Sequence, residues 1–562
     1  MSVTTLDGKR FAEMVIQGAQ HLTNNAQMVD ALNVFPVPDG DTGTNMNLSI
    51  TSGAKEVKSN VSGHIGKVGQ ALAKGLLMGA RGNSGVILSQ LFRGFAKAIE
   101  NKEVINTVEF AQALEAGVET AYKAVMKPVE GTILTVAKDT AKTATAVAKK
   151  QSDIVLFMEE VVAEAKASLN RTPDLLPVLK EVGVVDSGGQ GLVIIYEGFL
   201  AVLKGEKLPE VSATAPSMDE LVNAEHHKNV QSHMNTEDIE FGYCTEFMVR
   251  FEEDKLNDHP FSEEAFRNEL SKWGDSLLVV SDDEIVKVHI HAEQPGEVLN
   301  LGQKYGSFMK IKVDNMREQH SSLVAETHAQ MTPAPVPAQT SAKKEEYGIV
   351  TVAMGAGIGK LFRSIGAKAI IEGGQTMNPS TEDIVKAIEE VNAEKVIILP
   401  NNSNIVMAAR QAASVVDQEV IVIPSKTVPQ GMTALLAFNP GADLAENETA
   451  MNEALSHVKT GQITYAVRDT SIDGLELEVG DFMGIADGKI IVKDQDKMEA
   501  AKKLLTSMID EDAEILTILQ GEDVTDEDAA ALIEYVESTF EDVEVELHKG
   551  DQPLYSFIFA IE

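Results

Sequence analysis

The sequence predicts a multidomain protein with an all-α N-terminal module, a small α+β middle domain and an α/β C-terminal domain. With 562 residues, the chain is too long for a single hydrophobic core. The spacing of apolar residues changes along it, from intervals of three to four, to alternation, and then to short apolar runs followed by glycine-rich loops. A segment rich in proline and alanine precedes the last part. These changes indicate three domains.

Residues 1–205 are predicted to be helical. Segments 107–127, 132–150 and 153–169 are rich in alanine and carry apolar residues at helical spacing. Between the predicted helices lie four glycine-containing loops, VPDGDTGTN, GARGNSG, PVEGT and VVDSGGQG. Loops of this kind can meet at one end of a helical module, so they are the first candidates for a binding site.

The rest of the chain divides at a linker. Residues 206–325 open with a polar connector and continue with YCTEFMVRFE, SLLVVSD and IVKVHIHAE, which predict strands, and FSEEAFRNELSKW, which predicts a helix. Residues 326–346 carry three prolines within six positions and predict a semi-rigid linker. In residues 347–562 an apolar strand, a polar loop and a helix recur three times, which predicts an α/β domain with a parallel sheet.

Charge and composition exclude several function classes. The net charge of −38 argues against nucleic acid as a partner. Residues 501–562 hold 17 Asp or Glu against three Lys, which is either a solvated acidic face or a docking surface for a basic partner. No apolar run approaches the length of a transmembrane helix, and a single cysteine fits a reducing compartment. We therefore expect a cytoplasmic protein without a transmembrane segment.

The loop around Asp39-Gly-Asp41 is a candidate metal site. Its neighbouring prolines exclude a helix, and two carboxylates one residue apart suit Mg²⁺, which binds carboxylates together with substrate phosphates. The alternative is a solvated turn followed by helix-capping Thr and Asn residues. The pattern alone does not separate the two interpretations.

The loop Gly79-Ala-Arg-Gly-Asn-Ser-Gly85 precedes an amphipathic helix and is a candidate phosphate site. Glycines permit close approach of a ligand to the backbone, the helix start offers free N–H groups, and Arg81 adds a positive charge. Helix capping alone favours similar residues, and the Walker pattern GxxxxGK[ST] is absent. Together with the carboxylate loop, this loop favours a site for Mg²⁺ and a phosphate-bearing ligand.

Four motifs in this order, VPDGDTGTN, ARGNSGVI, EGTIL and VDSGGQG, resemble the ATP-binding L domain of dihydroxyacetone kinases over residues 1–205. With Cys244, the HIH motif and the α/β domain, the whole chain is similar to the ATP-binding subunit of bacterial fatty-acid kinase. The resemblance implies an eight-helix barrel, ATP and Mg²⁺ as cofactors, and a separate fatty-acid-binding carrier protein as partner. It also relates the last domain to the carrier's own fold and suggests docking. Oligomeric state stays open, with a homodimer among the alternatives.

The resemblance also implies roles for individual residues. Asp39 and Asp41 match Mg²⁺ ligands and, with Arg81, are the candidate catalytic residues; Asn33 lies nearest to where dihydroxyacetone kinases have a third metal-binding Asp. The candidate nucleotide-binding residues are Thr42, Thr44, Asn45, Gly82, Asn83, Ser84, Gly85, Thr132, Ile133 and Asp186. The chain lacks the substrate domain of the sugar kinases, and Thr42 stands where they often have His. Dihydroxyacetone is therefore not the expected substrate.

Cys244, His289 and His291 form a second constellation. Residues two apart in a strand point to one face, so both imidazoles can bind one ion, and the thiol would complete a set suited to Zn²⁺. Glu246 shares the strand face of Cys244 and is a candidate neighbour. The alternative is a pair of edge-strand histidines beside a buried cysteine, with no metal, because no CxxC motif is present.

The expected reaction is transfer of the γ-phosphate to a fatty-acid carboxylate, which gives an acyl phosphate. A carboxyl group is ionised at pH 7 and needs no general base. Two alternatives are a non-catalytic nucleotide-sensing coregulator and a small-molecule kinase for dihydroxyacetone or another polyol. In the C-terminal domain, GAGIG lacks the spacing of a dinucleotide fingerprint, and residues 401–404 at a strand end are either a turn or part of a second site.

Overall fold

The computed structural model describes residues 3–34, 40–206, 243–252, 255–256, 259–281, 285–315, 344–374 and 377–562. They belong to two compact units. The first comprises residues 1–209 and 342–562, and the second comprises residues 210–341. The predicted division at 205, 325 and 346 stays a prediction; most of the predicted linker lies outside the described residues, and Glu345 and Glu346 already belong to a strand.

The N-terminal part of the first unit is helical, as predicted. Its described residues form ten helices: α1 (Gly8–Thr23), α2 (Ala26–Asp30), α3 (Thr42–Ser59), α4 (Ile65–Gly79), α5 (Gly82–Ile99), α6 (Thr107–Ala124), α7 (Ile133–Ala148), α8 (Ile154–Leu175), α9 (Pro177–Val182) and α10 (Ser187–Lys204). Two short strands, β1 (Leu6–Asp7) and β2 (Val104–Ile105), pair antiparallel. No helix among the residues described in the chain is long and apolar enough to span a bilayer.

Eight of these helices form a closed ring. Each packs along its two neighbours in the order α1, α3, α4, α5, α6, α7, α8, α10 and back to α1. The ring encloses an apolar core in which Phe11 stacks on Phe95 at 5.5 Å and Phe95 meets Phe110 edge-on at 5.4 Å. Sequential ring neighbours run in opposite directions, so α3, α5, α7 and α10 begin at the same end. This end carries the four glycine-containing loops.

The C-terminal part of the first unit contains the predicted parallel sheet. Its strands are β7 (Glu345–Ala353), β8 (Ala369–Glu372), β9 (Ala393–Leu399) and β10 (Glu419–Val422), in the order β10-β9-β7-β8. The helices that follow or connect them are α13 (Ala356–Ser364), α14 (Thr381–Glu390), α15 (Val406–Ala413), α16 (Val428–Leu436) and α17 (Leu444–Ala454). The sequence pattern of strand, polar loop and helix is confirmed here.

A second sheet follows, of which the sequence predicts only the last two strands, at EVEVELHKG and LYSFIFAIE. Its strands are β11 (Lys459–Tyr465), β14 (Phe482–Ala486), β15 (Lys489–Asp494), β16 (Ile515–Gln520), β17 (Glu544–Lys549) and β18 (Phe557–Ile561), in the order β15-β14-β11-β18-β16-β17. Only β16 and β17 are parallel. The hairpin β12 (Thr470–Ile472) and β13 (Leu475–Leu477) and the helices α18 (Lys497–Met508) and α19 (Asp526–Thr539) complete this part. Strands β14 and β15 form a hairpin through Asp487 and Gly488, whereas the other pairs in this sheet join strands that are distant in sequence.

The second unit is an α+β domain, as predicted. Its four strands are β3 (Tyr243–Phe251), β4 (Gly274–Ser281), β5 (Ile285–Ala292) and β6 (Gly306–Asn315), in the antiparallel order β4-β5-β3-β6. Helix α11 (Glu263–Leu270) packs on β4, and α12 (Pro295–Gln303) packs on β3 and β6. Its core contains Phe247, Phe266 and Val288. Strand β6 and helix α12 were not predicted.

Candidate nucleotide site

The beginnings of α3, α5, α7 and α10 lie together at one end of the ring. Gly82, at the start of α5, packs against Asn45 in the first turn of α3, and Gly188 in α10 packs against Ile133 at the start of α7. The Ser187 hydroxyl lies 3.5 Å from the Asn33 amide oxygen, close to α3. The positive dipole ends of four helices therefore face a common region, and the start of α5 has no side-chain cap, which is an arrangement suited to an anion.

The start of α3 is capped by Asp30 and not by the preceding Asp41. The Asp30 carboxylate accepts hydrogen bonds from the amides of Gly43 at 2.6 Å and Thr44 at 3.1 Å, and from the Thr44 hydroxyl at 2.8 Å. Asp41 precedes the helix and makes no side-chain capping bond. Sequence reasoning missed Asp30, and it counted Thr44, whose hydroxyl is engaged by Asp30, among the nucleotide-binding residues.

Asn33, the candidate third metal ligand, lies beside Asp41 but its amide oxygen already has donors. The Thr42 hydroxyl donates to it at 2.6 Å, and the Asn33 nitrogen donates to the Asp30 carbonyl at 3.0 Å. Asp39 lies outside the described residues, so the complete Mg²⁺ set is untested. The side chains present, carboxylate and amide oxygens beside helix starts, are hard donors that fit Mg²⁺.

The glycines of the second loop permit close packing of α5 on α3. Gly82 has φ of +57°, and a Cβ there would lie 2.6 Å from the Asn45 amide nitrogen; a Cβ on Gly85 would lie 2.3 Å from the Ser49 hydroxyl. Ser49 is fully buried, donates to the Asn45 carbonyl at 2.6 Å and accepts from the Arg81 amide at 3.2 Å. These glycines therefore allow α5 to pack closely on α3. The sequence analysis related them instead to the close approach of a ligand.

Asp186 caps α10 beside the start of α7. Its carboxylate accepts from the Gly189 amide at 2.6 Å. Burial raises the pKa of Asp186 to about 6, although hydrogen bonds from the backbone of Gly189 and Ile133 act in the opposite direction. The Thr132 hydroxyl donates to the Val129 carbonyl at 2.8 Å. Ile133, which follows Thr132, and Asp186 are thus brought together, and the role of these three residues in nucleotide binding stays a prediction.

Side chains of the C-terminal part also contact this site. The Asn378 amide donates to the Asp41 carboxylate, and the Arg81 guanidinium donates to the Asn378 carbonyl at 2.7 Å. Arg81 also lies 3.5 Å from the Asp383 carboxylate, and the Asn83 amide donates to the Asn404 side-chain oxygen at 3.3 Å. Burial lowers the pKa of Arg81, and Asp383 and Glu382 oppose this effect. No local sequence signal indicates these contacts, because the partners are about 300 residues apart.

Arg468, from the C-terminal part, contacts the segment 31–34. Its guanidinium donates to the carbonyls of Ala31, Asn33 and Val34. Burial lowers the pKa of Arg468. The C-terminal side chains that contact the candidate site are called the docking edge below, and they are Asn378, Asp383, Asn404 and Arg468.

Sequence comparisons match three family models along the chain. The DAK2 domain matches residues 36–201, the FakA-like middle domain of fatty acid kinase matches residues 240–323, and the FakA-like C-terminal domain matches residues 348–562. Protein YloV of Bacillus subtilis is 62% identical over 562 residues, which is the full length of both chains. The chain belongs to the FakA-like fatty-acid kinase family. This membership confirms the resemblance seen in the sequence.

The chain is also similar to another relative and to two solved structures. The uncharacterized protein SERP0792 of Staphylococcus epidermidis is 55% identical over the full length of both chains. Dihydroxyacetone kinase from C. freundii, solved with AMP-PNP and Mg²⁺, has a TM-score of 0.27 at 20% identity and covers 34% of this chain and 33% of its own. The Streptococcus pneumoniae fatty acid kinase B3 protein, loaded with linoleic acid, has a TM-score of 0.28 at 12% identity and covers 39% and 99%. At these scores neither structure bears on the site residues. The kinase-related domain matches support a phosphotransferase.

The candidate Zn²⁺ set of this kinase-family chain stays a prediction. The backbone register pairs Cys244 with His291 and Glu246 with His289 across β3 and β5. The side chains of these residues lie outside the description. Among the side chains that the structure does describe, no group of three or more His, Cys, Asp or Glu residues could hold a metal ion.

Asn401, the first residue of the candidate second site in this family member, has a structural role. Its backbone has φ of +55°, and the side chain is 8% exposed. The amide donates to the Thr351 hydroxyl at 2.8 Å and the Val352 carbonyl at 2.9 Å, while its oxygen accepts from Ser425 at 2.8 Å. These bonds join the ends of three strands, so the turn interpretation accounts for this residue.

Proposed function

We propose that this chain is the ATP-dependent kinase that phosphorylates the carboxylate of a fatty acid presented by a separate fatty-acid-binding protein. The observation that carries the proposal is the convergence of four helix starts with Asp41 and the 82–85 loop at one end of the ring. This arrangement supports binding of a polyphosphate anion. The family membership supports the fatty-acid kinase class.

The residues of the site have different roles in phosphoryl transfer. Asp41, with Asp39, binds the metal, and the amides at the start of α5 bind phosphate oxygens. Mg²⁺, when bound, supplies positive charge that neutralises the β- and γ-phosphates. Arg81 stabilises charge that develops on the transferred group once its guanidinium turns to the phosphate. Thr132, Ile133 and Asp186 line the adenine side.

The acceptor carboxylate forms a bond to the γ-phosphorus while the bond to the bridging oxygen of ADP breaks. ADP leaves with that electron pair, and no proton moves because the acceptor is already ionised. No general base is therefore required. The acyl phosphate formed is prone to hydrolysis, so delivery by a carrier that excludes water favours its survival. A carrier docked on the C-terminal part would also raise the effective concentration of the acceptor. ATP supply and a single cysteine fit a cytoplasmic location.

The proposal is tested by product trapping with the full-length chain. ATP, Mg²⁺ and fatty acid are supplied with and without a fatty-acid-binding protein, and hydroxylamine converts acyl phosphate to a measurable hydroxamate. We expect strong product formation with the carrier and little with free fatty acid. ATP binding without hydroxamate in any combination would favour the nucleotide-sensing alternative, and ADP formation driven by a polyol would favour the small-molecule kinase.

We also propose that Cys244, His289 and His291 bind Zn²⁺, on the basis of their spacing and register. Intact protein purified without chelator should contain about one zinc per chain, because three such ligands are typical of zinc sites. Elemental analysis measures this directly, and the double substitution His289→Ala and His291→Ala should remove the metal. Metal-free wild-type protein would contradict the Zn²⁺ site and favour the alternative, in which the two histidines and the cysteine bind no metal.

A further inference from the structure

Three side chains assigned to the nucleotide site have their functional groups occupied by the docking edge. The Asp41 carboxylate accepts from Asn378, the Asn83 amide donates to Asn404, and the Arg81 guanidinium lies between the Asn378 carbonyl and the Asp383 carboxylate. These are the carboxylate, amide and cation that a Mg²⁺–nucleotide complex requires. Neither the family match nor the proposed reaction assigns a role to these contacts.

The contacts belong to a packed interface. The Thr381 amide donates to the Ala80 carbonyl at 3.0 Å, and the Gln411 side chain donates to the Leu77 carbonyl at 2.8 Å and accepts from Gln90 at 2.8 Å. Ala80 and Val86 are buried in the same apolar cluster as Val350, Val352 and Ile384 of the C-terminal part. The docking edge is therefore held against the 80–86 loop by apolar burial as well as polar bonds.

The groups around Arg81 and Asn83 oppose phosphate binding while the docking edge is in place. Asp383 places a negative charge next to Arg81, so a phosphate would have to compete with it for the guanidinium. The side-chain oxygens of Asn83 and Asn378 are buried and have no hydrogen-bond partner among the described residues. Asn378 is 1% exposed. Phosphate oxygens brought beside these acceptors would gain no hydrogen bonds from them.

We propose that the C-terminal part covers the phosphate end of the kinase site, so that docking of this part and binding of a Mg²⁺–nucleotide complex exclude each other. The acceptor carboxylate then meets the γ-phosphate only after the docking edge has moved away. This inference rests on the proposed nucleotide site, and it adds an autoinhibitory contact to it. A carrier that binds the C-terminal part would release the site as it delivers the acceptor.

Nucleotide affinity tests the proposal, with Mg²⁺ and AMP-PNP as the probe and the full-length chain as the protein. Arg468→Ala and Asn404→Ala each remove contacts of the docking edge without altering a nucleotide-binding residue. If the covered form predominates, each should tighten binding about threefold to tenfold, because the apparent affinity rises as the covered fraction falls. Arg363→Ala, which removes an exposed arginine elsewhere in the C-terminal part, is the matched control and should leave affinity unchanged.

The direction of the change in nucleotide affinity shows whether the docking edge opposes or supports nucleotide binding. Weaker binding in Arg468→Ala and Asn404→Ala would show that the docking edge supports the nucleotide site, and this result would overturn the proposal. Unchanged binding in both would overturn it as well, because the contacts would then have no influence on nucleotide binding.

Hydrogen exchange gives a second measurement that does not depend on turnover. Adding Mg²⁺ and AMP-PNP to wild-type protein should slow exchange of the 82–85 amides and accelerate exchange at 378–384, where the Thr381 amide loses its bond to Ala80. Slower exchange in both segments would overturn exclusion and leave the proposed function intact. No protection at 82–85 in any variant would overturn the nucleotide site itself, and exclusion with it.

Discussion

The helical part and the C-terminal part of the first unit contribute opposite charges around Arg81. The helical part offers helix starts and Arg81, which attract anions. The C-terminal part offers the Asp383 carboxylate and the side-chain oxygens of Asn378 and Asn404, which are acceptors. The comparison teaches that motifs identify the groups able to bind a ligand, whereas the neighbouring domain determines whether those groups are free to do so.

The largest effect is expected when a carboxylate of the helical part is substituted and compared with a carboxylate of the C-terminal part. Asp41→Asn, and likewise Asp39→Asn, should lower carrier-dependent phosphoryl transfer at least ~100-fold, because each removes metal-binding charge from the transition state. Asp383→Asn, the control on the docking edge, should retain transfer. Acyl hydroxamate formation at saturating Mg²⁺ measures all three. Near-normal turnover of Asp41→Asn would remove this residue from the metal site.

A second prediction concerns the packing of α5 on α3. Gly85→Ala should destabilise the protein by about 1–3 kcal/mol, because the new Cβ would overlap the buried Ser49 hydroxyl. Denaturant unfolding measures the loss. Ser49→Ala combined with Gly85→Ala should recover part of it. Gly63→Ala is the control, because no atom lies within 4 Å of a Cβ there. Equal stability of Gly85→Ala and Gly63→Ala would contradict the packing role.

The hydrogen bond between Gln90 and Gln411 joins the helical part to the C-terminal part, and its contribution to stability can be measured. Gln411→Ala leaves the Leu77 carbonyl and the Gln90 amide without their buried partner, which should cost about 1–3 kcal/mol. Gln90→Leu combined with Gln411→Leu replaces both glutamines by apolar groups and should cost less than the sum of these two single changes, because neither glutamine is then left without its partner. A double-mutant cycle by denaturant unfolding measures the coupling. Additive losses would mean that the two side chains do not stabilise the interface through each other.

The smallest expected effect is the pH dependence due to Asp186. Its pKa of about 6 lies above the ordinary value of 3.8, so the stabilising protonated form is present at low pH and is lost as pH rises through 6. Asp186→Asn keeps a capping oxygen and should stabilise the protein at pH 8 but not at pH 4. Partial exposure of Asp186 reduces the gain to about 1 kcal/mol, below the ~3 kcal/mol that full burial would give. Thermal unfolding at the two pH values measures it, and a pH-independent difference would contradict the assignment.

The sequence by itself determined the features that depend on neighbouring residues. Helical spacing in residues 107–169, the strand and loop pattern after 347, and the four glycine loops are local signals, and the structure contains the elements they predicted. The family motifs are also local signals, because each is a short stretch of sequence around the start of a helix. Asn45, Gly82 and Ile133 were identified in this way, and they lie at the same end of the ring.

Only the tertiary structure decided how those groups are used. The cap that Asp30 provides for α3, the raised pKa of Asp186 and the contacts of the docking edge all depend on burial or on partners in other elements. Apart from the hairpin of β14 and β15, the second sheet of the C-terminal part is likewise built from strands distant in sequence. Local patterns record backbone preference and amphipathic spacing, whereas desolvation and pairing arise only when distant segments pack together.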